Sequence, residues 1–412
     1  MKRILPFILI LIFFSCEKPE SPPIMQWHTL TLDFEGPETS ENAEENPFTD
    51  YRLNAIFQHP ESGRAYRIFG FYAADGSAGE TSANKGNIWR VHFKPDQTGL
   101  WTYQISFRKG ANIALSDKQN AGEPINLPQS SGSFEVIPSD KTGRDFRAHG
   151  RIQAKGQWFQ FQNSNQYFLK GGADSPENFL AYADFDGTQR GESFVAREGE
   201  SKPQDALHMY EPHVKDWKEG DPTWQGGKGK GMIGALNYLA GKGMNVVYFL
   251  TMNIKGDGED VWPYTDYHER SRFDCSKLDQ WEKVFSHMEK LGIMMHVVTQ
   301  ETENERLLDD GDTGPERSLY YRALIARFGH HLGITWNLGE ENGPAEFSPN
   351  GQTSEQQKAM ADFFDENDPY DNPVVIHTHA WKGQKDKSLP ALTGHNTLDG
   401  LSFQVDRREH VH

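Results

Sequence analysis

From about Trp27 to Ile137 apolar and polar residues alternate with a period of two, in short runs broken by turn residues. In residues 87–94, Trp89, Val91 and Phe93 fall on one face and Arg90, His92 and Lys94 on the other, the pattern of a half-buried strand. Residues 101–108 repeat it. Pro95, Asp96 and Gly99 between the two runs supply turn chemistry, so the runs are expected to pair as a hairpin. Residues 53–57, 66–72 and 133–136 add strands at the spacing of a β-sandwich.

Past a polar linker at 139–150 the rhythm becomes strand, then helix. Residues 167–172 read as a first buried strand, 244–250 as the second, 293–298 as the third, 334–338 as the fourth, 374–377 as the fifth and 400–404 as the sixth. Between them, 233–242 read as a helix closed by Gly243. In 278–291, Leu278, Trp281, Phe285, Met288 and Leu291 recur at helical spacing until Gly292 stops them. Residues 320–329 form a further helix. This alternation predicts a parallel α/β architecture of TIM type, a (β/α)8 barrel, whose functional groups gather at the C-terminal strand ends.

Length changes the picture little: 412 residues suit two domains. Charge excludes more. Asp and Glu number 59 against 42 Lys and Arg, a net −17 that repels phosphate backbones, so nucleic acid is not an expected partner. Lys2 and Arg3 precede an apolar run at 4–14 that is too short to span a bilayer, followed by Ser15 and Cys16. This is a signal peptide (1–16). It resembles a bacterial lipobox, which implies lipidation at Cys16 and a lipid-anchored, exported protein of the cell envelope, with the polar, Pro-rich 17–25 as tether. The remaining Cys275 has no internal partner and reads as a buried, inert thiol.

Asn46-Pro47-Phe48, Ile68-Phe69-Gly70-Phe71-Tyr72, Trp89 to Pro95 and Gly99-Leu100-Trp101-Thr102-Tyr103 together resemble the domain of unknown function DUF5060, an immunoglobulin-like module found ahead of glycoside hydrolase barrels. The resemblance implies a sandwich over 26–138 and a glycoside hydrolase-like barrel over 151–412. Trp336-Asn337-Leu338-Gly339-Glu340-Glu341-Asn342 resembles the fourth-strand motif of retaining clan A glycoside hydrolases, in which a Glu after this strand is the general acid/base. Registering Leu338-Gly339 on the family's Leu-Gly-Asn-Glu assigns that role to Glu341 and puts Glu340 where the family has Asn. The choice between the two carboxylates stays open at this point, with Glu341 favoured. Cleavage of a glycosidic bond needs a carboxylic acid that is still protonated near neutral pH, and burial or a neighbouring charge provides one.

Asp174, Asn253, Gln300, Glu301, His377, His379, Gln404 and Asp406 share the strand-end location and are candidates to line a sugar site, with Trp262 and Tyr264 as stacking rings. A retaining mechanism needs a second carboxylate about 5–5.5 Å from the first. In the clan this follows the seventh strand, whereas His412 comes just past the sixth; the expectation is a barrel incomplete at its C-terminus, with the nucleophile beyond it. Gly229-Lys230-Gly231-Met232-Ile233-Gly234 matches a dinucleotide fingerprint in letters only, since no strand leads into it, and it more simply opens the first barrel helix. His377 and His379 lack a third metal ligand at recognisable spacing, so neither a metal nor a cofactor is expected. Two functions follow: a retaining glycoside hydrolase acting on an external glycan, or a non-catalytic, glycan-binding surface lipoprotein.

Overall fold

The computed structural model describes residues 23–173, 176–191, 207–256, 258–407 and 409. Strands β1 (Ile24–Met25), β2 (Leu30–Ser40), β3 (Tyr51–His59), β4 (Arg64–Phe69), β5 (Phe71–Tyr72), β6 (Lys85–Phe93), β7 (Gly99–Lys109), β8 (Glu123–Pro124) and β9 (Ser131–Ile137) form a sandwich. One sheet runs β1-β9-β7-β3-β4, with β8 beside β7, and the other runs β2-β6-β5. The expected hairpin of 87–94 with 101–108 is thereby corrected. β6 pairs with β2 and β5, while β7 pairs with β3, β8 and β9, so the turn between them crosses from one sheet to the other. Runs 87–94 and 101–108 kept their predicted inner faces, whereas the expected strand 66–72 is corrected: it breaks at Gly70, with β4 pairing β3 and β5 pairing β6 in the other sheet. Phe93 meets Trp101 edge-on at 5.1 Å between ring centroids, and Trp89 lies 4.8 Å from Phe107, both across the core. Alternation fixes which side chains go inward but not which strand becomes the neighbour.

A short antiparallel sheet, β10 (Ile152–Lys155), β11 (Trp158–Phe161) and β12 (Tyr167–Phe168), follows. The reading of 167–172 as one strand is therefore corrected: Tyr167 and Phe168 pair with β11, and the parallel sheet begins only at β13 (Gly172–Ala173). Gly172 is needed there, because a Cβ would meet the carbonyl oxygen of Val246 at 1.9 Å. The sheet continues in chain order through β14 (Val246–Leu250), β15 (Met294–Val298), β16 (Ile334–Asn337), β17 (Val374–His377) and β18 (Gly400–Ser402), all parallel. Six strands so ordered are a half barrel. Val247, Phe249, Met295, Val297, Ile334, Trp336, Val374 and Ile376 turn to the helix side. The alternate positions Tyr248, His296, Asn337 and His377 face the other way and make a polar interior.

After a short α1 (Ala78–Thr81) in the sandwich, the helices α2 (Lys230–Gly241), α3 (Cys275–Leu291), α4 (Pro315–Phe328), α5 (Ser354–Asn367) and α6 (Lys382–Leu392) cover the helix side. α3 follows the chemistry of its ends: the Asp274 side chain accepts from the Lys277 N–H at the start, and Gly292 adopts left-handed geometry at the stop. Lys230 does open a helix, without a strand leading into the glycine run.

Sandwich and half barrel are clamped together. Lys94 Nζ and Glu289 of α3 form a buried ion pair at 2.6 Å, and Glu289 also accepts the Leu332 N–H at 2.8 Å. Arg327 donates to the Tyr72 carbonyl, and the buried thiol of Cys275 lies beside it, its pKa raised by burial. Breaking one partner of a buried pair strands the other charge, so Lys94→Met should cost about 3–5 kcal/mol of unfolding free energy. Urea titration checks this; a loss under about 1 kcal/mol would show that the pair does not hold the interface.

Candidate active site

The segment after β16 runs from Leu338 to Gly343 and is fixed by side chains from three neighbouring loops. Gln352 Oε1 accepts from Gln300 Nε2 at 2.7 Å and from Asn342 Nδ2 at 2.9 Å, while Gln357 donates to Asn342 Oδ1 at 2.8 Å. The Glu305 carboxylate takes the N–H groups of Gly343 and Gln352, and Arg317 donates to Gln300 Oε1. Gly339 permits the close approach, since a Cβ would fall 2.6 Å from Asn342 Nδ2 and 3.0 Å from Gln300. Such satisfied, buried networks rigidify a site before any ligand arrives.

On this frame the adjacent carboxylates diverge. Glu340 turns toward Glu301 and Glu177, and oxygens of the three carboxylates lie within 4.8 Å of one another. Burial is the first cause, and the two neighbouring carboxylates the next, that hold the Glu340 carboxyl far above the usual range. Three carboxylates so close must share protons or a cation. Oxygen ligands at this spacing suit a hard divalent ion. Among the described residues Glu282, His330 and His331 are a second group close enough to hold an ion.

Glu341 turns the other way. Its backbone is left-handed, φ 39°, and its N–H donates to His377 Nδ1 at 3.0 Å, which places the ring proton of His377 on Nε2. A non-glycine residue in this region carries backbone strain, a feature that clusters at functional sites. His379 Nε2 faces the Gly343 carbonyl at 3.1 Å and so carries its proton there, leaving Nδ1 bare 3.9 Å from Glu341 Oε2. A bare ring nitrogen accommodates a protonated carboxyl. Burial raises the Glu341 pKa, and Glu177 and Glu303 add to the rise; the Ala380 N–H and the Gln404 amide, which donates to Glu341 Oε1, hold it partly back. Burial also lowers His379, so both groups favour their neutral forms.

Six predicted residues are thus brought together: Glu340, Glu341, Glu301, His377, His379 and Gln404. Asn253 is fully buried and braces its own loop, its Oδ1 accepting the Glu259 N–H. Trp262 and Tyr264 are corrected. Both are buried, Trp262 against Tyr267 and Tyr264 against Phe273 and Tyr320, so their faces are spent on core packing. Asp174 and Cys16 lie outside the described residues. Sequence reasoning passed over Glu177, which follows the first parallel strand as Glu301 follows the third, and over the rings that are open. Phe347 and Trp381 are about half exposed, 6.5 Å apart, with Phe347 5.8 Å from the His379 ring. Their signal in the sequence was proximity to the fourth and fifth strand ends.

This geometry can be set beside known proteins. Residues 23–108 match the Domain of unknown function (DUF5060). The stretch similar to DUF5060 thus falls on the sandwich, ahead of the parallel half barrel. Among solved structures, a "putative glycoside hydrolase" from Bacteroides vulgatus ATCC 8482 superposes with TM-score 0.52 at 18% identity, over 87% of this chain and 57% of that one. A glycoside hydrolase family 5 structure from the same organism gives TM-score 0.34 at 15% identity, over 56% of this chain and 40% of that one. The chain thus spans a little over half the length of the first of these relatives. No curated protein matches the chain.

The raised carboxyl of Glu340 has a measurable consequence. The folded protein keeps a proton that the unfolded chain releases above its own pKa, near 4.3. Stability from this proton is full below about pH 4.3 and is lost as pH rises, by about 1.4 kcal/mol per unit until the folded pKa is passed. Glu340→Gln cannot release it. The variant should gain on the wild type between pH 5 and pH 8 in thermal or urea melts; a gap that ignores pH would rule out the shared proton.

Proposed function

We propose that the protein is a glycoside hydrolase that acts on an extracellular poly- or oligosaccharide, with Glu341 as general acid/base. The observation that carries this is the Glu341 carboxyl itself. It is raised by burial, faces a bare histidine nitrogen, and lies at a strand end next to two open aromatic rings. A proton donor for a glycosidic oxygen has those requirements: it must be neutral at working pH, reachable, and close to a surface on which a sugar ring stacks. Gln404 and the Ala380 N–H donate to the carboxylate that remains once the proton has gone.

In this reading burial, and then the Glu177 and Glu303 carboxylates, disfavour ionisation of Glu341, while Glu340 keeps its proton beside Glu301 and Glu177. His377 anchors the Glu341 backbone, and Phe347 and Trp381 bind sugar. The double-displacement course is part of the proposal. It requires a second carboxylate about 5–5.5 Å from the acid, which the clan A resemblance assigns to the end of a seventh strand. The signal peptide, the lipid on Cys16 and the surface location belong to the same proposal, since an anchored enzyme meets polymers that cannot enter the cell.

The test is a polysaccharide panel with reducing-end detection. Glu341→Gln should lower the rate about 10²–10⁴-fold on the responsive glycan, with the fold intact by circular dichroism. Trp381→Ala should raise KM and leave kcat nearly unchanged, as expected for a group that binds ground and transition states alike. Cleavage that survives Glu341→Gln would remove the assignment.

A further inference from the structure

A cavity of about 660 Å³ lies on the outer face of the larger sandwich sheet. Its floor is β3 and β7. On that floor Arg52 stands directly opposite Arg108, Asn54 opposite Ser106 and Ile56 opposite Gln104, while Arg67 of β4 stands opposite Ile56. Like charges directly across an antiparallel pair repel, so this arrangement costs stability that an apolar or alternating pair would not. Three arginines and a single carboxylate, Asp117, line the cavity of a chain whose net charge is −17. A fourth, Arg322 of α4, donates to Asn54 at the same place.

The wall opposite the floor is held by the same cations. Arg52 donates to the carbonyls of Ser116, Lys118 and Gln119, and Arg108 to those of Asn120, Ala121 and Gly122. These bonds explain the loop but leave donors over. Arg52 is 3% exposed and its Nε has no hydrogen-bond partner, and the exposed Arg67 side chain has the Phe69 ring, 5.8 Å away, as its neighbour but no side-chain hydrogen bond or ion pair among the described residues. The lining also carries the amides Gln104, Gln119, Asn120 and Asn126, each with both donors and an acceptor to offer hydroxyl groups.

We infer that this groove binds an anionic glycan, its carboxylate or sulfate groups held by Arg67, with Arg52 and Arg108 adding positive charge beneath, and its hydroxyls held by the amide side chains. The choice of a sugar rests on the carbohydrate reading of the barrel; the choice of an anion rests on the groove alone. The sandwich then holds acidic polymer on its own outer face. It is a binding site separate from the one that contains Glu341.

Affinity electrophoresis of the full chain tests it, with polygalacturonate and chondroitin sulfate as probes, and dextran and a single-stranded DNA oligomer as controls. Retardation by at least one acidic glycan is expected, at least tenfold weaker in Arg67→Glu, largely kept in Arg67→Lys, and unchanged in Glu341→Gln. Arg67 is exposed, so folding of both variants is expected to match the wild type in melting temperature. Equal retardation by dextran, retardation by DNA as strong as by the glycans, or binding that ignores Arg67→Glu would each overturn the inference. Loss of cleavage in Glu341→Gln with no effect of Arg67→Glu on binding would overturn the groove alone. The reverse pattern would overturn the hydrolase reading and leave the groove.

Discussion

The buried ion pair of Lys94 with Glu289 joins three parts of the protein at one point. Lys94 closes the sixth strand of the sandwich, Glu289 sits in the last turns of the third helix, and the same carboxylate takes the backbone N–H of Leu332 at the entry to the fourth barrel strand. Two charges removed from water are tolerated only when geometry and further hydrogen bonds compensate them, and here both are supplied. Burial works against the charged forms of Lys94 and Glu289, and each is the other's chief compensation. The strand that leaves Leu332 ends at Glu340 and Glu341. The sandwich is thus mechanically continuous with the candidate site.

At that site the protein holds carboxylates closer than their charges favour. Glu340, Glu301 and Glu177 converge, and Glu341, next along the chain, is turned away by a left-handed backbone. Stability is given up locally, and the surrounding network of Gln300, Gln352, Gln357, Asn342, Arg317 and Glu305 supplies the rigidity that keeps the arrangement in place. The interior face of the half barrel is also polar. Lys170, lowered to about 8 by burial, meets His296 at 2.8 Å, and His296 in turn lies 2.9 Å from Asn337. Ordinary packing would have filled these positions with branched aliphatics.

Like-charge placement recurs in the sandwich, where Arg52 and Arg108 face each other on adjacent strands. Their guanidinium groups are largely satisfied by one loop, yet burial and then the charges of Arg67 and Arg108 still lower the pKa of Arg52. Both the acidic cluster and the basic groove therefore show the same feature, a local electrostatic cost inside an otherwise well-paired fold. In each case the cost falls on a concave or strand-end surface, where a ligand of opposite character would relieve it.

The sequence alone determined the elements and their faces. The alternation through Trp89, Val91 and Phe93 specified which side of β6 is buried, and the helical spacing from Leu278 with Gly292 behind it specified α3, because both signals are local to the backbone. The order of barrel strands placed Glu301, Glu340, Glu341, His377 and His379 at one end for the same reason. Only the tertiary structure decided partners. It put β6 and β7 in different sheets, gave Tyr167 to a small antiparallel sheet, buried Trp262 and Tyr264, and left Phe347 and Trp381 open. It also gave Glu340 and Glu341 different surroundings, since a pKa depends on burial and on charges a few ångströms away, which residues distant in the chain provide. A local pattern encodes a face; a contact is chosen by everything else that must pack against it.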